Sequence, residues 1–391
     1  MFRSTIPKED RELVMMVREL VETHITPKAV SYDKDENGSF DWSPVNLLAR
    51  YNLMAPNIPE EYGGRGLCNI TTAMILEEIA VGSAGLAAVL LTNLHAVSPL
   101  LTVGTEEQKK EILPLMTGES PKLAAATIIE HKPNLELIAQ PETMDIRHSS
   151  VNVENIEEGH LVVKGLKDYV MNAGIAGFLA VALSTNPEKD KAGLQIAVLP
   201  VETEGIIIGK QRKTLGLRFC QANEVIFDNV EVSEKYLIGK PGSGFLVFMQ
   251  NLDRMVPLAA ALSLGVARAA YEAALNASKN RMFMGKPIFE ESTVSFTLAE
   301  MATKINAARQ SVHFACWLID KDLDYSQASS KAKIIASSVA QEVTAKAMEI
   351  IGGQAYLYGH HAEIYLRDAK MLSIIDGSEQ FHRNLLASQL Y

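Results

Sequence analysis

The chain has 391 residues, enough for two or three domains with substantial cores, and its 47 Asp and Glu against 37 Lys and Arg give a formal net charge of −10. That charge argues against a nucleic-acid partner and leaves room for an anionic small molecule held by local basic residues. The cysteines Cys68, Cys220 and Cys316 lie far apart without metal-ligand spacing, so reduced core thiols, no metal site and a cytoplasmic location are expected. There is no run of about 18 uncharged apolar residues, and the N-terminal stretch Met1–Asp10 is polar, so neither a membrane span nor a targeting peptide is expected.

Residues 1–125 read as a helical domain. Leu13, Met16, Val17, Leu20 and Val21 recur at spacings of three and four, which predicts a helix from Glu9 to Ile25 ended by Pro27. The glycines of Ile58–Gly66 mark a loop. Thr72–Leu101 reads as helix interrupted near Gly82-Ser83 and Pro99, and Thr105-Glu106-Glu107-Gln108 reads as a capped helix start. Residues 126–235 carry short β-branched runs at 161–163, 178–183, 195–199, 206–208 and 224–227, which predict a compact antiparallel sheet or barrel. Residues 236–391 return to helix, at about 245–282, 292–321, 326–351 and from 380 onward. Long helices with short connections predict a four-helix bundle, so the fold class is α+β: helical, then antiparallel β, then bundle.

Several motifs sit on this frame in order. They are Pro59-Glu60-Glu61-Tyr62-Gly63-Gly64-Arg65-Gly66, Lys167-Asp168-Tyr169-Val170-Met171-Asn172-Ala173, Arg281-Met282-Phe283-Met284-Gly285-Lys286-Pro287, Glu349-Ile350-Ile351-Gly352-Gly353 and Arg367-Asp368-Ala369-Lys370, followed by Ile375-Asp376-Gly377-Ser378-Glu379-Gln380. Together with the domain order they resemble the FAD-dependent acyl-CoA dehydrogenases along almost the whole chain. The resemblance implies α,β-dehydrogenation of an acyl-CoA thioester, FAD as cofactor, an electron-transfer flavoprotein as electron acceptor and a homotetramer built as a dimer of dimers. It implies that Asp376, at the family's glutamate position, removes the α-proton. It further implies cofactor contacts at Ile129, Tyr169, Val170, Met171, Arg281, Met284, Ser292, Glu349, Gly352, Gly353, Ser378 and Gln380. Substrate contacts are implied at Asp253, Arg254, Gly377 and His95, and Thr92 and Asn93, on the same apolar helix as His95, are further candidates for lining the acyl pocket.

Each residue type suits its role on chemical grounds. A carboxylate can take an α-proton, and a dry pocket raises its basicity. An arginine fork such as Arg281 can bind two diphosphate oxygens, and Gly352-Gly353 allows close backbone approach to a ligand. Each also has an ordinary reading: Asp-Gly is a common turn, a terminal arginine caps a helix, and a strand tyrosine is core.

The chain departs from the family pattern around this site. Asp376 is one methylene shorter than glutamate, Met171 replaces a hydroxyl residue beside the flavin, and Val256 replaces an arginine for which Arg254 is a nearby substitute. Glu349 replaces a glutamine, a residue unfavourable beside a diphosphate unless protonated or paired. The loop after Ile129-Glu130-His131 keeps only its acid. These changes point to an atypical acyl group, branched, cyclic or substituted. They leave open altered chemistry (elimination, desulfination or the reductase direction) and a non-catalytic homologue. The apolar stretches Phe245–Leu275 and Ile334–Ile351 suit either a subunit interface or a core.

Overall fold

A computed structural model describes residues 6–34, 40–127, 151–157, 160–185 and 193–389. Ile129 and the rest of the 129–131 motif lie outside the described residues.

Helix α1 (Lys8–Leu20) buries Val14 and Val17 on one face. The helical course does not stop at Pro27. It widens through a π turn (Val21–Ile25), then tightens through a 3₁₀ turn (Thr26–Lys28) into α2 (Ala29–Asp33). Pro27 stands in the first turn of its 3₁₀ segment, where its missing N–H costs nothing. After α3 (Ser43–Ala49), the glycine loop wraps a 3₁₀ turn (Glu60–Tyr62). A Cβ on Gly64 would meet the Ile58 carbonyl oxygen at 1.9 Å, so that position admits only glycine.

Ser83 separates α4 (Asn69–Gly82) from α5 (Ala84–Val103), as expected, but α5 runs on through Pro99. A proline there removes the N–H that would bond the His95 carbonyl. Asn251 Nδ2, from a later helix, donates to that oxygen at 3.0 Å instead. The two helices are thereby joined at His95. Helix α6 (Glu106–Ile112) opens with the expected reciprocal cap, Gln108 N–H to Thr105 Oγ1 at 3.2 Å and Thr105 N–H to Gln108 Oε1 at 2.9 Å.

The central sheet runs in the order β6 (Ile206–Arg212), β7 (Ala222–Ser233), β3 (His160–Met171), β2 (Val151–Glu157), β4 (Ala176–Ser184), β5 (Leu194–Pro200), β8 (Leu237–Ile238), with β1 (Leu123–Thr127) beside β4. It is not wholly antiparallel: β1 pairs with β4 in parallel, and β2 meets β4 in parallel at Asn152 and Ser184. The expectation missed β1 because an Ala-rich run carries little β signal. Asn172, just beyond β3, ties its end to α5 and β1, its Nδ2 donating to Val89 O at 2.9 Å and Ala124 O at 3.2 Å.

The C-terminal region holds α7 (Gly244–Asn280), α8 (Ser292–Asp320), α9 (Ser326–Ile351), α10 (His361–Leu372) and α11 (Glu379–Ser388). The short helix α10 lies between the third and fourth helices expected from the sequence. By length and composition α5 and α7 could cross a membrane, but most of their residues are buried inside the fold. The apolar stretch 255–270 of α7 is largely this chain's own core.

Buried charges tie the helices together. Glu77 and Glu78 of α4 are each 4% exposed. Arg268 of α7 bonds both carboxylates, Arg309 of α8 binds Glu77 at 2.8 Å and Arg18 of α1 binds Glu78 at 2.6 Å. The Arg367-Asp368 pair is likewise a junction. Arg367 Nη1 donates to Asp33 Oδ1 at 3.0 Å, and Asp368 Oδ1 accepts from Leu217 N–H at 2.7 Å. Helix α10 is thus anchored to the N-terminal helices and to the loop before β7.

Candidate functional site

The loop between α10 and α11 carries Asp376 in the left-handed region, φ 56°, followed by Gly377 at φ 91°. A Cβ on Gly377 would lie 2.5 Å from Phe381 Cδ1 and 2.9 Å from His382 Nε2, so packing as well as φ demands glycine. Ser378 then caps α11, its side chain accepting from Phe381 N–H at 3.2 Å.

Helix α9 holds this loop from beneath. Lys333 is fully buried, and its Nζ donates to Leu372 O at 2.7 Å and Ile375 O at 2.6 Å. One turn earlier, Ser330 Oγ meets His382 Nδ1 at 3.1 Å, while His382 Nε2 meets Asp376 O at 2.9 Å. A carbonyl only accepts, so Nε2 carries the proton and Nδ1 accepts from the Ser330 hydroxyl. Burial and the Lys333 charge push His382 down to about 4, so the ring is neutral near pH 7. Burial pulls Lys333 down to about 8 against the opposing pull of Asp376 and Glu379.

The Asp376 carboxylate faces α5. His95 Nε2 lies 3.1 Å from Asp376 Oδ1, at ion-pair distance but outside hydrogen-bond alignment, and neither that nitrogen nor Asp376 Oδ2 has a hydrogen-bond partner among the described residues. Burial works to raise the carboxyl pKa, but His95 and Lys333 outweigh it and the net shift is downward. The desolvation expected to raise basicity is therefore present, with cationic or polar neighbours that reverse its effect. The group is ionised at neutral pH and keeps one free oxygen for a proton.

Of the other residues on α5, Asn93 is committed to structure. Its Nδ2 donates to Met54 O at 2.7 Å, and its Oδ1 accepts from Ala124 N–H at 2.8 Å. Thr92 is buried beside Cys220. Asp253 and Arg254 lie on α7, two and three residues beyond the Asn251 that reaches His95. The Arg254 guanidinium sits 5.6 Å over the Tyr325 ring, and burial raises the Asp253 carboxyl despite a Ser326 hydrogen bond. Val256 is fully buried core.

The remaining residues fall in two further places. At the end of β3 a bulge between Lys167 and Val170 interrupts the pairing with β7. Asp168 within it is held by Arg212 at 3.0 and 2.8 Å. Tyr169 follows at φ 56° with 51% of its surface exposed. A bulge of this kind re-aims a side chain out of the sheet. Val170 is buried and Met171 is half-buried against the core.

The third place is the far end of the bundle. Arg281 follows α7 and its Nη1 donates to Ile350 O at 3.3 Å and Ile351 O at 3.4 Å, the open carbonyls ending α9. A Cβ on Gly352 would meet that Nη1 at 2.5 Å. Met284, 89% exposed, tips a hairpin between Met282–Phe283 and Lys286–Pro287. Ser292 begins α8. Glu349 is paired with Lys346 at 3.0 Å, which offsets its charge. Gln380, at the start of α11, donates to Asn384 Oδ1 at 3.0 Å.

Lys333 and Gly352 are 19 positions apart on and just beyond α9, about 28 Å along a helix axis. The Asp376 cluster and the Arg281–Gly352 cradle of one chain therefore face different regions of space. Two of the places suit parts of a dinucleotide: the exposed Tyr169 ring on the β3 bulge, and the Gly352 turn beside the Arg281 guanidinium fork. The residues present fit FAD. Sequence reasoning missed Lys333, Ser330 and His382. A lysine in an Ala/Ser-rich helix reads as solvent-facing, and only the contact with a loop some forty residues later shows otherwise.

Comparison with known proteins follows this geometry. Three family descriptions match: acyl-CoA dehydrogenase N-terminal domain at residues 7–119, middle domain at 142–230 and C-terminal domain at 242–391. The cyclohex-1-ene-1-carbonyl-CoA dehydrogenase of Syntrophus aciditrophicus is 31% identical over 387 residues, covering 98% of this chain and 90% of that protein. Butyryl-CoA dehydrogenase from Megasphaera elsdenii superposes with a TM-score of 0.91 at 26% identity, covering 99% of each chain. A chain from a structure of the electron transferring flavoprotein of Acidaminococcus fermentans gives 0.91 at 29% identity, covering 98% of each.

Proposed function

The chain belongs to the acyl-CoA dehydrogenase family, and on that footing we propose that Asp376 is the base that takes the α-proton from an acyl-CoA bearing a cyclic or otherwise substituted acyl group. It is an oxidoreductase and an FAD flavoprotein. When bound, FAD supplies the acceptor for the hydride leaving the β-carbon.

The observation that carries the proposal is the state of Asp376: half-buried and ionised, near His95 through Oδ1, with Oδ2 shielded from solvent and without a partner among the described residues. Its task is to accept the α-proton at Oδ2 while His95 keeps the carboxylate oriented through Oδ1. Gly377 allows the substrate thioester to approach the turn closely, and Asp253 and Arg254 sit on the neighbouring helix as polar groups for the CoA portion. Tyr169, Val170, Met171, Ser378 and Gln380 are assigned to one end of the cofactor. Arg281, Met284, Ser292, Glu349, Gly352 and Gly353 are assigned to the diphosphate side of a cofactor held mainly by a neighbouring subunit. The distance along α9 supports that division, and a homotetramer built as a dimer of dimers, as the family resemblance implies, is proposed with it.

The shorter acid supports the choice of substrate. Removing one methylene from the base leaves room above the α-carbon that a ring can fill. The similarity to a cyclohex-1-ene-1-carbonyl-CoA dehydrogenase favours the same class. An electron-transfer flavoprotein is proposed as the electron acceptor, in keeping with the fold shared with the Acidaminococcus chain.

The test is the flavin spectrum of the purified protein with cyclic and straight-chain acyl-CoAs added in turn. Bleaching should be fastest with a ring substrate, and its absence with every acyl-CoA would refute the proposal. Met171, standing where the family pattern has a hydroxyl, favours a second reading in which elimination, desulfination or the reductase direction is catalysed. Mass spectrometry decides between them, since simple loss of two hydrogens excludes the second.

A further inference from the structure

Lys333 has no part in the proton transfer described above, yet it is a fully buried cation bonded to the base loop. Burying an ammonium is costly unless its protons are used. Here they bond two backbone oxygens, Leu372 O at 2.7 Å and Ile375 O at 2.6 Å. Leu372 is the last residue of α10, so its carbonyl belongs to the open, partly negative end of that helix, where a cation is favoured. Ile375 immediately precedes Asp376.

The stretch that follows is unusual. Asp376 and Gly377 take successive left-handed conformations, at φ 56° and 91°. A non-glycine residue in that region persists only where its surroundings over-determine it. Besides Phe381 and His382 of α11 and His95 of α5, the surroundings include one face of α9. Ser330 and Lys333, one turn apart, reach the loop from below, Lys333 directly and Ser330 through His382, whose Nε2–H bonds Asp376 O at 2.9 Å. The carbonyls of residues 372, 375 and 376 are each fixed by this pair of routes.

We propose that Lys333 is a positioning residue for the base: by bonding the carbonyls of Leu372 and Ile375 it fixes the backbone that presents Asp376, at the reach that an acid one methylene short requires. An apolar side chain of the same length could fill the space but could not hold the carbonyls. The groups facing Lys333 are the Asp376 carboxylate, Glu379 and the His382 ring. Its positive charge also favours the ionised form of the base.

The inference rests on Asp376 being the base, and hydrogen–deuterium exchange at the substrate α-carbon separates the two ideas. It would be measured in D₂O with the FAD-loaded protein and the acyl-CoA that bleaches it best. Asp376→Asn should abolish exchange. Lys333→Met should keep its FAD and its KM while exchange and kcat fall together by about 10- to 100-fold, the scale of a misplacement of roughly 1 Å. Lys333→Gln, which keeps an N–H donor without the charge, should lower exchange and kcat by about 3- to 10-fold at constant KM, and it decides the matter if Lys333→Met fails to hold FAD. Unchanged exchange in Lys333→Met, or in Lys333→Gln where that variant decides, overturns the positioning role alone. Unchanged exchange in Asp376→Asn overturns the base assignment and this role with it.

Discussion

Restoring the longer acid should damage this site. In Asp376→Glu the carboxylate moves outward by one carbon–carbon bond, about 1.5 Å. His95 Nε2 already stands 3.1 Å from Asp376 Oδ1, so the extended side chain collides with the imidazole or swings past it. The backbone cannot retreat to compensate. Asp376 O is held by His382 at 2.9 Å, Ile375 O is held by Lys333 at 2.6 Å, and Gly377 is locked against Phe381. A displacement on the order of 1 Å costs about a hundredfold in rate, about 2.7 kcal/mol on the barrier. The assay is stopped-flow reduction of the bound flavin at saturating acyl-CoA, with FAD content checked in each protein. The loss should be larger for a ring substrate than for a straight chain, because the added methylene occupies the space the ring needs. A variant that reduces its flavin as fast as the parent protein, or faster, would refute the reasoning.

Other outcomes follow from the surrounding structure. Arg268→Met strips Glu77 and Glu78 of a shared partner while Arg309 and Arg18 still hold them, and should lower stability to urea by about 1–3 kcal/mol. Asp368 offers a test with a definite pH signature. Burial pushes its carboxyl from 3.8 up to about 7, so between those values the folded protein holds a proton that the unfolded chain has released. Stability from this group is present at low pH and is lost as pH rises through that window. Asp368→Asn keeps an acceptor for Leu217 N–H without the charge. Its gain over the parent protein in urea melts should grow with pH to a ceiling of about 4 kcal/mol and vanish in acid. A gain independent of pH would contradict the assignment.

How much could be seen beforehand depended on whether a feature was local. The glycine loop, the Thr105 cap and the Ser83 break depend on neighbours within a few residues, and the sequence displays them. The motifs ending in Asp-Gly placed the candidate base on its turn for the same reason. What escaped notice was set by distant partners. Pro99 reads as a break until Asn251, about 150 residues later, supplies the missing hydrogen bond to His95 O. Asn93 reads as a pocket residue until its amide is seen to join Met54 to β1. Lys333 reads as surface until the α10–α11 loop folds over it. The direction of the Asp376 shift was also hidden, because burial alone predicts a weaker acid and the answer depends on His95 and Lys333 from two other helices.

Asp376→Asn in the FAD-loaded protein is the most direct trial of the base assignment. The amide is isosteric with the carboxylate and cannot accept the α-proton at neutral pH. The variant should fold, retain its yellow flavin and bind acyl-CoA, yet show no flavin bleaching on the timescale of the parent protein. Bleaching at the parent rate would show that another group removes the proton and that Asp376 is a turn residue only.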